Sequence, residues 1–298
     1  MFKGCSSLSI LKGLETWDVS TSYNFSHMFD GCTSLQRLNE LEKWDVSKRN
    51  KFCYMFAGCT SLFSLDGLQK WDVSKGGNFT NFLEGCKSLS DINALENWKI
   101  SESIFSYMFK GCSSLSDIKA LKNWKISGYT IICDMFNGCT SLSSILPLAN
   151  WDVKDVSDFQ NMFSGCCSLT SIVPLEKWDV SSGYNFSNMF NVCSSLSTLK
   201  GLEKWNVSHG SNFSYMFQEC LSLSDITSLE KWNVVKGDDF SYMFNGCRML
   251  SNIKPLYNWK ISKEKNIERI FFECNISMDK KLLKKWKLTE KDFSKLIK

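Results

Sequence analysis

Every one of the 11 tryptophans in this chain of 298 residues falls on a single register: Trp17, Trp44, Trp71, Trp98, Trp124, Trp151, Trp178, Trp205, Trp232, Trp259 and Trp286. Nine of the ten steps between them are 27 residues, and the step from Trp98 to Trp124 is 26. A unit of that size cannot bury its own apolar face, so copies must stack on one another. The period therefore predicts one elongated solenoid over residues 1–276, with no Pro- or Ser-rich stretch to mark a boundary inside it.

Within a repeat, Phe25, Met28, Phe29 and Cys32 stand at offsets 0, 3, 4 and 7, and the pattern recurs as Phe52/Met55/Phe56/Cys59 and Phe240/Met243/Phe244/Cys247. That spacing predicts a two-turn amphipathic helix. Asn or Asp precedes the first Phe at Asn24, Asn78, Asp158, Asn185, Asn212 and Asp239, which suits a helix start. Gly before the Cys, as at Gly31 and Gly246, suits a helix end. The Leu35/Leu38 pair and its equivalents Leu89/Ile92, Leu142/Ile145 and Leu223/Ile226 flank a segment read as a strand, whose stacked copies form a short parallel sheet. Gly67, Ala94, Pro147 or Pro174 then turns the coil. Trp-x-Val supplies a second extended edge. The expected fold class is thus an α/β solenoid of about eleven 27-residue helix–strand coils.

The Cys-to-Trp distance is 12 in all eleven repeats, and the one-residue deletion lies between Trp98 and Phe105. The Trp-to-Phe stretch is therefore expected to be a surface loop, and its contents vary most: Thr21 to Asn24, Lys75 to Asn78, Gly128 to Ile131, His209 to Asn212. The last copy degrades, with Glu273, Ser277 and Lys280 replacing consensus residues. A charged helix follows Thr289-Glu-Lys-Asp292, read as a capping box, so residues 277–298 are expected to form a charged helical C-terminal cap. The other end opens mid-repeat on Met1-Phe2 without such a cap, which leads us to expect self-association through the N-terminal coil.

The net charge of +4 divides into −2 for residues 1–259 and +6 from Lys260 onward. The repeats carry no basic stripe, which argues against nucleic-acid binding, and the basic end reads as a solubilising cap. No apolar run approaches the roughly 18 residues of a membrane span. Met1-Phe-Lys-Gly-Cys5 matches Met28-Phe-Asp-Gly-Cys32 and so is repeat, not a secretory leader. The expectation is either that the chain stays where it is made, in the cytoplasm as it stands, or that an N-terminal part is missing from it. Eleven of the 14 cysteines share one register from Cys5 to Cys274, and only Cys53, Cys133 and Cys167 lie off it. No C-x-x-C metal spacing occurs. The register reads as a column of small buried thiols, with stacked neighbours within disulfide reach as the alternative.

Trp-Asp-Val-Ser followed by Phe-Ser-x-Met-Phe-x-Gly-Cys-Ser-Ser-Leu resembles the bacterial surface-protein 26-residue repeat, allied to the BspA-type leucine-rich repeats. The match covers essentially residues 1–276. The resemblance implies a leucine-rich-repeat-like solenoid with a binding or adhesion role, often at a cell surface.

Chemistry is sparse in the pattern. Asp18, Asp45, Asp72, Asp152 and Asp179 follow Trp, and stacked carboxylates hold Ca²⁺ well. However, Lys99, Lys125, Lys260, Asn206 and Asn233 share that register, so these acids read as turn residues bonding nearby backbone. His27 and His209 occupy different repeat positions and support no triad or zinc site. No enzyme, cofactor or metal is expected. Six Asn-x-Ser/Thr sequons are by-products of the consensus. The leading expectation is a non-enzymatic scaffold for protein–protein interaction or adhesion, its ligand a protein or, less favoured, a glycan. Tyr54, Tyr107, Tyr215 and Tyr242, read as lying on the outer helix face, are the candidate contacts, against a reading as ordinary surface tyrosines. The alternative role is a structural spacer that stacks end to end through its N-terminal coil.

Overall fold

The computed structural model describes every residue except Arg49, Gly76, Ser101, Glu102, Ser127, Tyr129, Ser262, Lys263 and Lys298, together with all but the side chain of Asn50. Two of the variable loop positions, Gly76 and Tyr129, therefore lie outside the described residues. The chain divides into two compact units, Met1–Asp152 and Val153–Lys298. No shift in composition marks that division, which falls just after Trp151. The same coil builds both units.

The segment from Phe25 to Cys32 is not the helix its spacing predicts. It is two successive four-residue turns. The Met28 N–H donates to Phe25 O at 3.1 Å and the Cys32 N–H to Phe29 O at 3.0 Å. The third residue of each turn is left-handed: His27 at φ 59° and Gly31 at φ 75°. A positive φ confined to the third position is the mark of a type II turn. The spacing misleads because the corners of two abutting turns also fall at 0, 3, 4 and 7. A left-handed residue ends a helix, and here it turns alternate N–H groups out of the coil.

Those N–H groups bond the next coil. Phe25, His27, Phe29 and Gly31 donate to Lys51, Cys53, Met55 and Ala57 carbonyls at 2.8, 2.9, 2.9 and 2.7 Å. In the second unit Phe213, Tyr215, Phe217 and Glu219 donate to Asp239, Ser241, Met243 and Asn245 at 2.8, 2.9, 2.9 and 2.7 Å. The Asn and Asp residues read as helix starts keep their hydrogen bond but cap a turn. Asn24, Asn78, Asp158, Asn185, Asn212 and Asp239 accept the N–H two residues on at 2.8–3.2 Å.

The leucine side of the coil turns by threes. The Leu41 N–H donates to Leu38 O at 2.9 Å and the Trp44 N–H to Leu41 O at 3.1 Å. This makes a short 3₁₀ turn over Asn39–Leu41. Proline enters the equivalent turns Leu146–Leu148, Val173–Lys177 and Lys254–Asn258 at their start, where a missing N–H costs no bond. Gly67 is required on other grounds: at φ 107° a Cβ would collide with the Leu38 carbonyl of the preceding coil.

Each Leu carbonyl at this corner takes two protons. Besides the Trp44 backbone N–H, Leu41 O accepts the indole N–H of Trp71, one coil on, at 3.0 Å. Trp44 bonds Leu14 O, Trp98 Leu68 O, Trp205 Leu175 O, Trp232 Leu202 O and Trp259 Leu229 O in the same way, at 2.9–3.0 Å. The arrangement satisfies an indole N–H that burial would otherwise leave unpaired. From Trp44 to Trp286 no repeat indole is more than 4% exposed, whereas Trp17 is 38% exposed. Phenylalanine rings of successive coils stack as well, Phe25 on Phe52 at 5.6 Å and Phe213 on Phe240 at 5.3 Å. Each fully buried side chain of this size contributes roughly 1.5–3 kcal/mol.

Sheet is sparse and lies elsewhere than expected. Strand β1 (Asn50–Lys51) pairs in parallel with β2 (Gly77–Asn78). Isolated parallel bridges continue the pattern, the series Asp158, Asn185, Asn212, Asp239, Asn266 being one run of them. These strands and this run sit at or beside the residue before the leading Phe or the Ile that replaces it. The segment between the paired leucines, read as the strand, forms bridges at Asp91–Asp117 and Thr198–Asp225. Turns on both sides leave only one or two extended residues, so no longer ladder forms.

After the last coil come α1 (Lys280–Trp286) and α2 (Glu290–Ile297). Asp279 caps α1, accepting from Lys281 N and Leu282 N at 2.9 and 3.0 Å and from the Tyr257 hydroxyl at 2.6 Å. The capping box forms: Asp292 N–H donates to Thr289 Oγ1 at 3.2 Å and Thr289 N–H to Asp292 Oδ2 at 2.9 Å. Leu282, Leu283, Trp286, Phe293 and Leu296 are buried, while Lys280, Lys281, Lys284 and Lys285 are exposed.

Candidate protein-binding face

The four candidate tyrosines share one structural position, the left-handed third residue of the first turn, with φ between 56° and 61°. They are not on a helix face. In the first unit this position holds His27, Tyr54, Asn81, Tyr107 and Asp134, and in the second Asn161, Asn188, Tyr215, Tyr242 and Arg269. All four tyrosines are half-buried. Because the N–H ladder fixes each coil over the next within a unit, side chains at this position form a column in each unit.

The structure brings Tyr215 and Tyr242 together, rings stacked 4.8 Å apart with planes at 4°. Burial, then the neighbouring Tyr242, raises the Tyr215 phenol above its ordinary pKa. Arg269 extends the stack: its guanidinium lies 5.9 Å over the Tyr242 ring and donates to the Tyr242 hydroxyl at 3.3 Å. That hydroxyl donates in turn to Glu268 Oε1 at 3.4 Å. Tyr54 is paired with His27, 4.6 Å away and nearly parallel at 8°. It is not brought to Tyr107, because the coil carrying Asn81 stands between them. Tyr107 has the Lys110 ammonium 5.1 Å over its ring.

Sequence reasoning missed His27 and Arg269, although both sit at the tyrosine register. Asn, Asp and His at the same register were also a signal, since these residues tolerate the left-handed conformation best. Beside His27, Asp30 Oδ2 pairs with Lys3 Nζ and His27 Nδ1, each at 2.9 Å. Burial works against the Asp30 charge, but the bonds from His27 and Lys3 outweigh it and hold the carboxyl below its usual range.

The other two columns are structural. Asp18, Asp45, Asp72 and Asp179 accept the N–H of Ser20, Ser47, Ser74 and Ser181 at 2.9–3.0 Å, the turn role read from the sequence. The serine hydroxyl and then its amide hold each carboxyl below the usual range. Among the described residues no group of three His, Cys, Asp or Glu is placed to hold a metal. The register cysteines are free thiols, buried from Cys32 to Cys247. Their sulfurs donate to carbonyls of the preceding coil, Cys59 to Phe29 O at 3.3 Å and Cys193 to Phe163 O at 3.2 Å. Burial pushes the Cys112 and Cys220 thiols up to about 12, which makes them poor nucleophiles.

Among solved structures, the chain is similar to a leucine-rich cell surface protein from Faecalibacterium prausnitzii, with 14% identity over 87% of this chain and 77% of that one and a TM-score of 0.33. It is also similar to internalin C2 from Listeria monocytogenes, with 10% identity over 91% of this chain and 76% of that one and a TM-score of 0.17. No curated protein matches. No helix among the described residues is long and apolar enough to cross a membrane. The kinship expected from the repeat motif is borne out by a family model that matches residues 1–118, 103–228 and 170–286. Together these segments take in every repeat tryptophan, and the chain belongs to the family described as Mycoplasma protein of unknown function, DUF285.

Proposed function

We propose that the chain is a non-enzymatic binding scaffold of about eleven leucine-rich-repeat-like coils, in which the left-handed column of the second unit is presented to a protein partner. The observation that carries this reading is the stack Tyr215–Tyr242–Arg269, built from the two residue types most favoured at interface centres. Holding a tyrosine at positive φ costs stability, on the order of 1–2 kcal/mol per residue. Four coils accept that cost where Asn or Gly would avoid it, which supports a use for the rings beyond packing. The family resemblance of the repeat supports a site of action at a cell surface.

The test is site-specific photo-crosslinking in the native cell, with a benzophenone side chain at position 218, three residues on from Tyr215 and in the adjoining turn. A discrete crosslinked protein, competed by added native chain but not by the Tyr215→Ser/Tyr242→Ser double variant, is expected. Equal competition by the double variant, with its circular dichroism unchanged, would remove the column from the binding face.

A further inference from the structure

The N–H ladder of the second unit ends in an open half-site. At each bridge position a coil offers a carbonyl and an N–H two residues apart, and the next coil fills both. Asp239 N–H donates to Ser211 O and Asp239 O accepts the Phe213 N–H, at 3.1 and 2.8 Å. Asn266 repeats the pattern against Asp238 and Phe240, at 2.9 and 2.8 Å. Past Asn266 the equivalent pair is Lys265 C=O and Ile267 N–H, and neither has a hydrogen-bond partner among the described residues.

Helix α2 covers only part of this edge. Its Lys295 and Leu296 carbonyls accept the Arg269 and Phe271 N–H groups at 3.1 and 2.9 Å, as a further coil would. Over Lys265, Asn266 and Ile267 it instead leaves a cleft of about 610 Å³, walled on the far side by Lys295 and Leu296 of α2 and by Leu288 just before it. That volume lies within the roughly 300–1,000 Å³ typical of ligand sites. An open strand edge inside a walled cleft has one backbone complement, an extended chain.

We propose that this cleft binds an extended acidic peptide segment by parallel strand addition at Asn266. The peptide's carbonyl accepts the Ile267 N–H and its next donor on that edge bonds Lys265 O. The carboxylates are selected by Lys295, exposed and without an ion pair among the described residues. The carboxylates already in the cleft are engaged: Asp292 caps α2 and Glu268 takes the Tyr242 hydroxyl. Lys265 is paired with Asp238 at 2.9 Å, which leaves its carbonyl as the group on offer. The cleft shares Glu268 and Arg269 with the end of the tyrosine column, but its backbone pair, Lys265 C=O and Ile267 N–H, takes no part in the column, so the test at Ile267 decides this site separately.

The probe is the pentapeptide acetyl-Val-Asp-Val-Asp-Val-amide, titrated into the full chain with the Ile267 amide followed by NMR. Binding should move that resonance and slow its hydrogen exchange about tenfold or more. A peptide N-methylated throughout should lose at least about fivefold in affinity, the worth of one or two backbone bonds. The counterpart with Lys in place of both Asp should bind several-fold more weakly, a gap that Lys295→Glu closes. Ile267→Pro removes a donor that bonds nothing in the free chain and should abolish the effect. If that variant misfolds, the methylated peptide still decides. The proposal is overturned if the Ile267 amide does not respond, if the methylated peptide binds equally, or if the Lys peptide binds as well as the acidic one. It is also overturned if light scattering shows a dimer whose Ile267 amide is already protected, because the edge then belongs to a second copy.

Discussion

Trp71→Phe and Trp17→Phe make the same chemical change at two places in one register and should differ sharply in cost. Trp71 is 3% exposed and its indole N–H donates to Leu41 O at 3.0 Å. Leu41 O keeps the Trp44 backbone N–H at 3.1 Å, so the substitution orphans no acceptor. The loss is one hydrogen bond, about 0.5–1.5 kcal/mol. To this is added the missing half of the ring system, about 1–2 kcal/mol for buried atoms removed from a close-packed site. A total of roughly 2–3 kcal/mol is expected. Trp17 is 38% exposed and its indole N–H has no acceptor among the described residues, so its variant should cost under about 1 kcal/mol. Urea denaturation followed by far-ultraviolet circular dichroism measures both, compared through midpoints because repeat arrays need not unfold in one step. Equal midpoint shifts would show that the indole bond between coils contributes nothing and that the register is conserved in the chain for packing alone.

Gly67→Ala should destabilise by about 3 kcal/mol or more, since it combines a left-handed φ with backbone collision, whereas Gly111→Ala, left-handed but with only ordinary contacts around its Cβ, should cost about 1 kcal/mol. Similar melting temperatures for the two alanine variants would contradict this. Cys59→Ser should cost about 1–3 kcal/mol by burying a hydroxyl; thiol labelling of the native chain should be slow at Cys59, and fast complete labelling would show the column to be exposed. The Tyr257–Asp279 bond should limit α1 docking at both pH extremes. The hydrogen bond to the Asp279 carboxylate, then burial, raises Tyr257 to about 12, so its contribution is complete below the unfolded value near pH 10 and lost as pH rises towards 12. Burial opposes ionisation of Asp279, but the Tyr257 hydroxyl and two backbone N–H groups outweigh it and lower its pKa, so that contribution is lost as pH falls below about 4. One late-titrating tyrosinate, absent from Tyr257→Phe, is the expected absorbance signature; a full complement of tyrosines titrating together would refute the bond.

Core membership was legible because burial follows register. Phe52, Met55, Phe56, Cys59, Leu62, Leu65, Leu68 and Trp71 are all buried, as their repetition requires. The backbone that carries them was not legible from apolar spacing, since a helix and a pair of type II turns place corners at the same offsets. What separates the two is the residue between the corners. Gly31, Gly58 and Gly85 at the sixth offset and His27, Asn81 and Asn161 at the second favour the left-handed conformation. Tyr54, Tyr107, Tyr215 and Tyr242 masked that signal, because tyrosine has no such preference. The four candidate tyrosines therefore share one structural position, but it is a turn and not the helix face that the spacing predicts. The open edge at Asn266 was invisible to composition, being a property of backbone groups that every residue carries.

Through the paired turns the ladder between coils runs one way, with each outward N–H of a turn reaching the carbonyl of the following coil. Within a unit, excising or duplicating one 27-residue block would return every donor to an equivalent acceptor. The short step already tests this: Phe79 and Asn81 reach Ile104 O and Ser106 O at 2.8 and 3.0 Å although that coil has lost a residue. Genes for such chains can gain or lose whole coils by misaligned recombination, without passing through a product whose core is broken. The residue at the left-handed position would then travel with its coil, one per 27-residue block.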